Sequence, residues 1–598
     1  MLAYNSDSYR AAVGPSIILA LILAGGLSAQ PGTPAEPVRV LNGTIDMSIH
    51  DGRLRPAIGV ENIELLHANR EHPETADRYG WTYNHAPMLA YWNGKFYLEY
   101  LSNPFGEHTP PGQTLVTTSA DGRNWDPPKQ VFPTYLLEQA ATAMMHQRMG
   151  FYVAPGGRLL VLAFYGRAPN PFGPGGIGRV VREAYKDGSY GPIYFIRYNT
   201  HAGWNESNTS FPFYRKSEDK GFIAACDALL ADKLKTMQWW EEDRSTDGFY
   251  TVTGLQAPSV FHRKDGTAVV LWKASWSALY SDEGKSWSKP VKSPSIITDG
   301  AKVWGQKTKD GKYAIVYNPA NDGTHRWPLA IATSEDGIVF DHMLAVHAEV
   351  TPRRYIGRAK DFGSQYMRGI SEGNGDPPGT DMWLTYSGNK EDIWISRIPV
   401  PVRYKIEGPV NDSFDKVQVG GKIPDWNIYR PRWAPVSIAA FPSAKNKSLQ
   451  LEDKDPFDYA KAVRVFAESK SAHIVFKVYA RQASGRLEVE VLDAGGHRPV
   501  RVVFGEGGVA LKAAAWQRIE IDADTASGKY DLSIDGKVVS RQAAFAEAVS
   551  TIERLSFRTG EYRTKPDRAS DRYVGGDLPN PGESAPLVVF NIDEVTIR

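Results

Sequence analysis

Short apolar runs joined by glycine turns recur five times in the first 400 residues of this chain. In each stretch a few polar residues precede an apolar run, and a second apolar run follows the turn. The five stretches are Asn84–Tyr91 with its turn at Asn93–Lys95, Met149–Phe164, Gln256–Trp272, Lys302–Tyr317 and Ser364–Tyr386. A single hairpin cannot bury its own apolar face, whereas hairpins stacked radially around an axis can. The pattern therefore predicts an all-β propeller with a pocket where its inner strands converge.

A turn signature follows three of these hairpins. Its form is Ser-x-Asp-Gly-x-x-aromatic or a near copy, at Ser119–Trp125, Ser281–Trp287 and Ser334–Phe340. Asp121 and Asp336 can accept hydrogen bonds from turn amides, while the glycine takes a positive φ and the aromatic ring fills the gap between sheets. The second copy has Glu283 in place of aspartate. The signature resembles the Asp-box turns of sialidase-like propellers, a resemblance that implies the scaffold and not the substrate.

The spacing of the signatures predicts how many blades the propeller has. The second and third copies start 53 residues apart, which is the length of one four-stranded blade. Over residues 60–402 this spacing predicts seven blades, with six as the alternative. The segment Arg167–Arg244 interrupts the rhythm with a strand at Ile193–Tyr198 and a helix carrying Leu229, Leu230 and Leu234. We expect this insertion to lie on one face and shape the mouth of the propeller.

The pattern changes after Pro401, because alternating strands continue without the glycine-turn repeat. These strands are Ala472–Ala480, Arg486–Leu492, Val500–Phe504, Gln517–Ile521, Lys529–Ile534 and Val588–Ile597. They predict a jelly-roll or concanavalin-like β-sandwich over residues 403–598, which resembles the sandwich domains appended to glycan-active enzymes. Either a carbohydrate-binding module or a packing domain fits this segment. Residues 30–59 are predicted to be a linker or strand.

Composition and charge narrow the class of protein. The chain has 16 Trp, 29 Tyr, 55 Gly and 40 Pro, which favours many short strands, and its formal charge of +1 argues against a nucleic-acid partner. Residues 1–29 predict a signal peptide, with Arg10, an apolar run at Ile17–Leu23 and a cleavage site at Ala29. We therefore expect a secreted or periplasmic monomer with no membrane span once the signal is removed. The single cysteine, Cys226, excludes an internal disulfide and is predicted to be a buried thiol.

A set of polar residues lies at the ends of the predicted inner hairpins. His85 precedes the first inner strand, His108 lies on the outgoing loop, Tyr152 enters the next blade and Arg167 leaves it. This order resembles the propeller-fold polysaccharide lyases, including ulvan lyases and rhamnose–glucuronate lyases, with an α-L-rhamnosidase family on the same scaffold. The resemblance implies β-elimination on an acidic polysaccharide or oligosaccharide. It assigns His85 and His108 to proton transfer, with Tyr152 as partner or alternate base.

Elimination explains why these residue types are needed. The reaction removes the C5 proton of a uronate and expels the oxygen at C4, so an arginine that pairs with the carboxylate stabilises the developing enolate. Histidine suits proton transfer because its pKa lies near neutrality. Arg167 is the first choice for the carboxylate. The other candidate substrate contacts are Asn84, Arg148, Arg215, Gln256, Gln365 and Arg368.

Two other functions fit the sequence. An exo-acting glycoside hydrolase, such as an α-L-rhamnosidase or a sialidase relative, could use Asp243 with Glu241 or Glu242 as its two carboxylates. Trp239 and Trp240 could stack on a sugar or pack in a surface helix. A non-catalytic glycan-binding propeller is the third function. No metal-ligand spacing stands out, so we expect no required cofactor, although a blade loop could hold a structural calcium ion.

Overall fold

The alternating runs form antiparallel sheets in the computed structural model. The structure describes residues 36–136, 143–145, 149–168, 171, 175–240, 255–281, 286–320, 325–564 and 576–598. The predicted signal peptide and the candidates Arg148, Glu241, Glu242 and Asp243 lie outside these residues. Within them, no helix has the length and apolar character needed to cross a membrane.

The first half of the chain forms the predicted hairpins, each extended into a sheet. Two short strands come first: β1 (Arg39–Val40) and β2 (Glu61–Leu66). The first sheet contains β3 (Tyr83–Trp92), β4 (Lys95–Asn103), β5 (Gln113–Ser119) and β6 (Lys129–Phe132). The second contains β7 (Ala143–Met145), β8 (Gly150–Val153), β9 (Leu159–Arg167), β10 (Gly176–Ala184) and β11 (Tyr194–Tyr198).

The predicted insertion, Arg167–Arg244, is an insertion only in part: its residues 176–184 and 194–198 form β10 and β11 of the second sheet, and two helices follow them. They are α1 (Lys220–Ala231) and α2 (Lys233–Trp240). Asp219 caps α1 by accepting hydrogen bonds from the amides of Gly221 and Phe222. Cys226 lies on the buried side of α1 as a free thiol, as predicted.

Three further sheets complete this half of the molecule. The third contains β12 (Ser259–His262), β13 (Thr267–Leu271), β14 (Trp276–Ser281), β15 (Ser286–Trp287) and β16 (Val291–Lys292). The next strands are β17 (Trp304–Lys307), β18 (Tyr313–Tyr317), β19 (His325–Arg326), β20 (Leu329–Ser334) and β21 (Val339–His347). Of these, β17, β18, β20 and β21 form the fourth sheet, which β1 completes by pairing parallel to β21. The fifth contains β22 (Phe362–Arg368), β23 (Met382–Gly388) and β24 (Asp392–Ile398), with β19 beside β22 and β2 beside β24.

These five sheets are the blades of a propeller formed by the described residues. Their innermost strands contact one another, as the parallel bridge between Leu89 and Ile370 shows. The five predicted hairpins are thereby confirmed. The number of blades in the whole chain, predicted as seven or six, stays a prediction.

The turn signatures have the predicted internal geometry. The Asp121 carboxylate accepts hydrogen bonds from the amides of Arg123 and Asn124, each at 2.8 Å. The Asp336 carboxylate does the same for Ile338 and Val339. The glycine of the first copy, Gly122, has φ +73°. The turns therefore hold the blade edges and carry no chemistry of their own.

The second half of the chain is a β-sandwich. Its strands are β25 (Val410–Asp412), β26 (Trp426–Arg430), β27 (Val436–Ala439), β28 (Ser448–Asp453), β29 (Lys461–Ser469), β30 (Ser471–Ala480), β31 (Arg486–Leu492), β32 (Val500–Gly505), β33 (Trp516–Asp524), β34 (Lys529–Ile534), β35 (Lys537–Ala544), β36 (Ile552–Arg558) and β37 (Val588–Ile597). One sheet has the order β26-β29-β36-β31-β32 and the other β27-β28-β37-β30-β33-β34-β35, with β25 beside β37. Their apolar faces enclose a single core that includes Trp426, Phe476 and Phe557.

Strand β2 joins the two halves into a continuous sheet. It pairs antiparallel with β24 of the fifth blade and parallel with β26 of the sandwich, so ten strands share one hydrogen-bonded ladder. The Trp394 and Tyr429 rings stack across this junction with centroids 5.2 Å apart. The sandwich is therefore packed directly on the propeller.

Candidate functional site

Three of the innermost strands have a non-glycine residue with positive φ, either within the strand or just before it. These residues are Ala86 (φ 52°) in β3, Ala257 (φ 51°) before β12 and Tyr366 (φ 53°) in β22. In β3 and β22 the pairing register shifts at the same place. Left-handed backbone costs about 1–2 kcal/mol for a residue with a Cβ, and such strain is typical of functional sites. His85, Gln256 and Gln365 each directly precede one of these residues, so the structure places three predicted candidates at equivalent positions.

His85 and Tyr366 meet at this end of the propeller axis. Their ring centroids are 4.7 Å apart in an edge-to-face arrangement. His85 is fully buried, and its Nδ1 lies 2.7 Å from the Ser387 hydroxyl. The other ring nitrogen, Nε2, has no hydrogen-bond partner among the described residues. A buried polar atom of this kind is costly unless something binds it.

Positively charged side chains surround the Tyr366 ring. Lys273 Nζ donates a hydrogen bond to the Tyr366 hydroxyl at 2.8 Å. The guanidinium carbons of Arg368 and Arg326 lie 5.3 and 5.9 Å from the ring centroid. Arg326 Nη1 is buried and finds no hydrogen-bond partner in the described part of the chain. We call His85, Lys273, Arg326, Tyr366, Arg368 and the nearby Lys390 the axial cluster.

The electrostatics of the axial cluster keep His85 neutral. Burial holds the pKa of the His85 imidazole well below its usual value, and the charges of Lys390, Arg368, Arg326 and Lys273 lower it further. A neutral imidazole accepts or relays a proton but does not supply a positive charge at neutral pH. The positive charge that attracts an anion to the axial cluster therefore comes from its lysines and arginines.

Acidic groups lie on the far side of Lys390. Its Nζ is 2.9 Å from an Asp361 carboxylate oxygen and 3.6 Å from one of Glu107. Glu107 is in turn 3.8 Å from His108 Nε2. His108, whose side chain is 16% exposed, thus connects to the axial cluster through Glu107 and Lys390.

The other predicted site residues have different positions. Arg167 is exposed at the end of β9, with its guanidinium carbon 5.4 Å from the centroid of the Trp204 ring. Arg215 is exposed and forms an ion pair with Asp227 at 2.8 Å. Asn84 is buried and donates to the carbonyl groups of Trp81 and Glu391. Gln365 is buried and donates to the Phe362 carbonyl at 2.9 Å. Neither arginine is in contact with the axial cluster through these interactions.

Tyr152 lies on a cavity further along the same strands. This cavity is lined by residues from the innermost strands of all five sheets and from α1 and α2. Lys235 Nζ lies 5.4 Å from the Tyr152 ring centroid, and Trp239 of α2 is buried beside Gly150. Burial raises the pKa of the Tyr152 phenol, with a further contribution from Asp232. Arg368 lines the cavity and also belongs to the axial cluster, so the two share this side chain.

Glu64, His67 and Asp392 are the only group among the described residues whose ligand atoms lie close enough to hold a metal ion. The Arg354 guanidinium contacts His67 Nε2 and donates to Asp392 at 2.6 Å. Burial raises the pKa of Glu64 to about 8 and lowers that of His67 to about 4. The Arg354 guanidinium already occupies the position beside these groups, so they form an internal hydrogen-bond network around an arginine.

Sequence reasoning did not identify Tyr366, Lys273, Arg326 and Lys390. One signal was available for Lys273, which lies two residues after the end of β13, much as Arg167 ends β9. The rule that selected Arg167 therefore applies equally to Lys273. Tyr366 was adjacent to two named candidates, Gln365 and Arg368, but only the bulge in β22 turns its ring toward His85.

Comparison with known proteins supports the scaffold. The family model "BT_1020-like, N-terminal beta propeller" matches residues 36–255, and the model "Sialidase-like, CBM domain" matches residues 426–572. A solved structure described as "Sialidase" is 40% identical, with a TM-score of 0.87 over 94% of this chain and 54% of that one. The chain thus spans about half the length of that relative. No curated protein matches.

More distant structures carry no argument about function. A mutant of Trypanosoma rangeli sialidase with trans-sialidase activity is 11% identical over 91% of this chain and 96% of that one, with a TM-score of 0.37. An exo-inulinase from Aspergillus awamori is 11% identical over 86% and 96%, with a TM-score of 0.30. The matches do not support the predicted resemblance to polysaccharide lyases or α-L-rhamnosidases. The chain has an all-β fold in which a sialidase-like propeller is followed by a β-sandwich similar to carbohydrate-binding modules.

Proposed function

We propose that this protein is a glycoside hydrolase that releases a carboxylate-bearing sugar from a glycan. The observation that carries the proposal is the axial cluster, in which Lys273, Arg326 and Arg368 surround a buried tyrosine at the mouth of the propeller axis. Charge-assisted contacts from arginine and lysine are the usual means of holding a carboxylate. The 40% identical structure described as a sialidase supports the same class of activity.

Tyr366 is the proposed nucleophile. Tyrosine serves this role in sialidases in place of the usual carboxylate. The phenol oxygen forms a bond to the anomeric carbon while the bond to the leaving glycan breaks, and water then hydrolyses the glycosyl–tyrosine and restores the phenol. The phenol proton passes to water, Lys273 stabilises the phenolate oxygen at 2.8 Å, and the ring of the neutral His85 packs against Tyr366. His108, beside Glu107, is the proposed donor of a proton to the leaving oxygen.

Turnover of small aryl glycosides tests this proposal. We expect release of the fluorescent alcohol from a 4-methylumbelliferyl glycoside of a carboxylated sugar, such as sialic acid or glucuronic acid, and none from the neutral rhamnoside. Tyr366→Phe should lower kcat by about 10³-fold or more, because the nucleophile is lost. Tyr280→Phe, on β14, is the control and should keep full activity. Full activity in Tyr366→Phe would overturn the assignment of the nucleophile.

β-Elimination on a uronate glycan is the second candidate. The observation in its favour is the neutral His85 beside a tyrosine and carboxylate-binding cations, since elimination also needs a base next to a neutralised carboxylate. Incubation with gum arabic and ulvan separates the two reactions. An elimination yields an unsaturated uronate that absorbs ultraviolet light, whereas a hydrolysis yields no such product and incorporates solvent oxygen. Binding without either product would favour the non-catalytic propeller.

The substrate and location follow from the same proposal. An acidic polysaccharide or oligosaccharide outside the cell suits a cationic site and a predicted signal peptide. The chemistry proposed here requires no cofactor.

A further inference from the structure

Four residues form a row across the outer face of the larger sandwich sheet. The row runs from Gln450 on β28 through Asn591 on β37 and Tyr479 on β30 to Trp516 on β33, and each residue is directly opposite the next in the strand register. Strand β30 alternates buried and partly exposed positions, and Tyr479 is on the partly exposed face. The row therefore lies on the face of the sheet opposite the core, with Tyr479 and Trp516 partly exposed and Gln450 and Asn591 buried on that face.

Three aromatic rings cluster at one end of this row. The Tyr479 and Trp516 ring centroids are 5.4 Å apart, and Phe441 lies 4.9 Å from Tyr479 and 5.9 Å from Trp516. All three side chains are partly exposed. A group of large rings on a solvent face is uncommon unless it binds something. We call Phe441, Tyr479 and Trp516 the aromatic platform.

Polar groups in fixed orientations lie beside the aromatic platform. Arg481 Nε donates to the Asn591 side-chain oxygen at 3.0 Å, and its Nη2 donates to the Gln450 side-chain oxygen at 2.6 Å. Its guanidinium carbon lies 4.4 Å from the Phe441 ring centroid. The acceptors of these hydrogen bonds are neutral amides, so they do not neutralise the positive charge of Arg481.

The proposed ligand follows from this combination of groups. The C–H face of a pyranose ring packs on an aromatic ring, and its hydroxyls pair with planar amides and guanidinium groups. A positive charge beside the rings favours a sugar that carries a carboxylate. We propose that the aromatic platform and the exposed guanidinium of Arg481, which Asn591 and Gln450 hold in position, bind a chain of an acidic polysaccharide. This site is separate from the propeller axis and does not depend on the proposed hydrolase activity.

Electrophoresis of the full chain in gels that contain an acidic polysaccharide tests the proposal. Polygalacturonate, gum arabic and ulvan are the probes, and Tyr366→Phe is the background so that no probe is cleaved. We expect retardation by at least one probe. Trp516→Ala and Tyr479→Ala should each weaken the dissociation constant about tenfold through loss of a stacking ring. Arg481→Met should weaken it as well.

Controls separate this site from folding and from catalysis. Tyr185→Ala removes an exposed tyrosine from the propeller and should leave retardation unchanged. Unaltered circular dichroism and thermal unfolding midpoints show that the platform variants fold. In the wild-type background, Trp516→Ala should hydrolyse a small aryl glycoside at the normal rate. The proposal is overturned if the platform variants are retarded as strongly as their parent, or if none of the three probes retards the protein.

Discussion

Tyr366 combines features that rarely occur together in a structural tyrosine. It is buried, its backbone is in the left-handed region, and a lysine donates to its hydroxyl at 2.8 Å. The bulge in β22 turns its ring toward His85 and away from the regular alternation of the strand. A backbone cost at one residue is thus tied to the position of the oxygen that we propose as the nucleophile.

Substitution of the two arginines distinguishes the axial cluster from the site predicted by sequence. Arg326→Met should weaken binding of a carboxylated substrate or product by about 10–10²-fold, because a charged hydrogen bond is worth about 1.5–3 kcal/mol. Arg167→Met should change it little, since Arg167 is exposed beside Trp204. Calorimetry with sialic acid or glucuronate measures both. A larger effect from Arg167→Met would favour the sequence-based assignment instead.

Residue identities could be predicted from sequence only where the hairpin pattern places them. His85, Gln256 and Gln365 were found because each opens an inner strand. Arg326 could not be predicted in this way. It lies on the two-residue strand β19, which pairs with β22 of the fifth blade, whereas β18 and β20, on either side of it in sequence, belong to the fourth blade. Its approach to Tyr366 depends on a contact across blades that no local pattern encodes.

At the scale of the element, the turn signature also fastens neighbouring blades to each other. A Cβ on Gly122 would lie 2.6 Å from the indole ring of Trp383, which belongs to the fifth blade. The ring of Trp383 contacts Phe96 of the first blade, with centroids 4.8 Å apart. The glycine is therefore required both for its positive φ and for the close approach of the tryptophan.

Gly122→Ala should lower the free energy of unfolding by about 2–4 kcal/mol, from backbone strain and overpacking together. Gly94→Ala is the matched control, because Gly94 has a similar φ of +77° but no atom within 4 Å of the added Cβ. Its cost should be about 1 kcal/mol, from the backbone alone. Urea denaturation of the two variants measures the difference. Equal destabilisation would show that the contact with Trp383 contributes nothing.

The elements themselves were predictable where pairing is local. Asp535 and Gly536 both have positive φ and form the two-residue turn between β34 and β35, a conformation that an Asp-Gly pair favours. The insertion was predicted as one helix, but Asp232 ends α1 and the structure has two. The hydrophobic spacing at Leu229, Leu230 and Leu234 continues across this break, which is why the sequence alone gave no sign of it.

At the scale of the whole molecule, propeller and sandwich share more than a surface. Besides the pairing of β2 with β26, the Glu349 carboxylate accepts hydrogen bonds from Tyr459 and Lys461, each at 2.6 Å. Burial opposes ionisation of Glu349, but Lys461 and His50 hold its pKa well below the usual value. The alternation of apolar and polar residues predicted the two β-rich halves. Their junction could not be predicted, because it depends on pairing between strands that are far apart in sequence.

Thermal unfolding of the full chain should therefore show one cooperative transition and not two. Glu349→Gln should lower its midpoint, because Lys461 would lose its buried counter-charge. Glu335→Gln is the control, since Glu335 pairs with Lys312 at the surface. Differential scanning calorimetry measures both variants. Two resolved transitions in the wild type would contradict the shared sheet as a source of cooperativity.

The position of β2 also sets the order in which this protein can be made. Ile63 leaves the ribosome early, yet its antiparallel partner, Ile395, is synthesised some 330 residues later. At about 5–20 residues per second, β2 stays without this partner strand for roughly 15–70 s. Exposed strand edges aggregate, so biosynthesis of this protein should depend on a chaperone that shields its first strands until the fifth blade emerges.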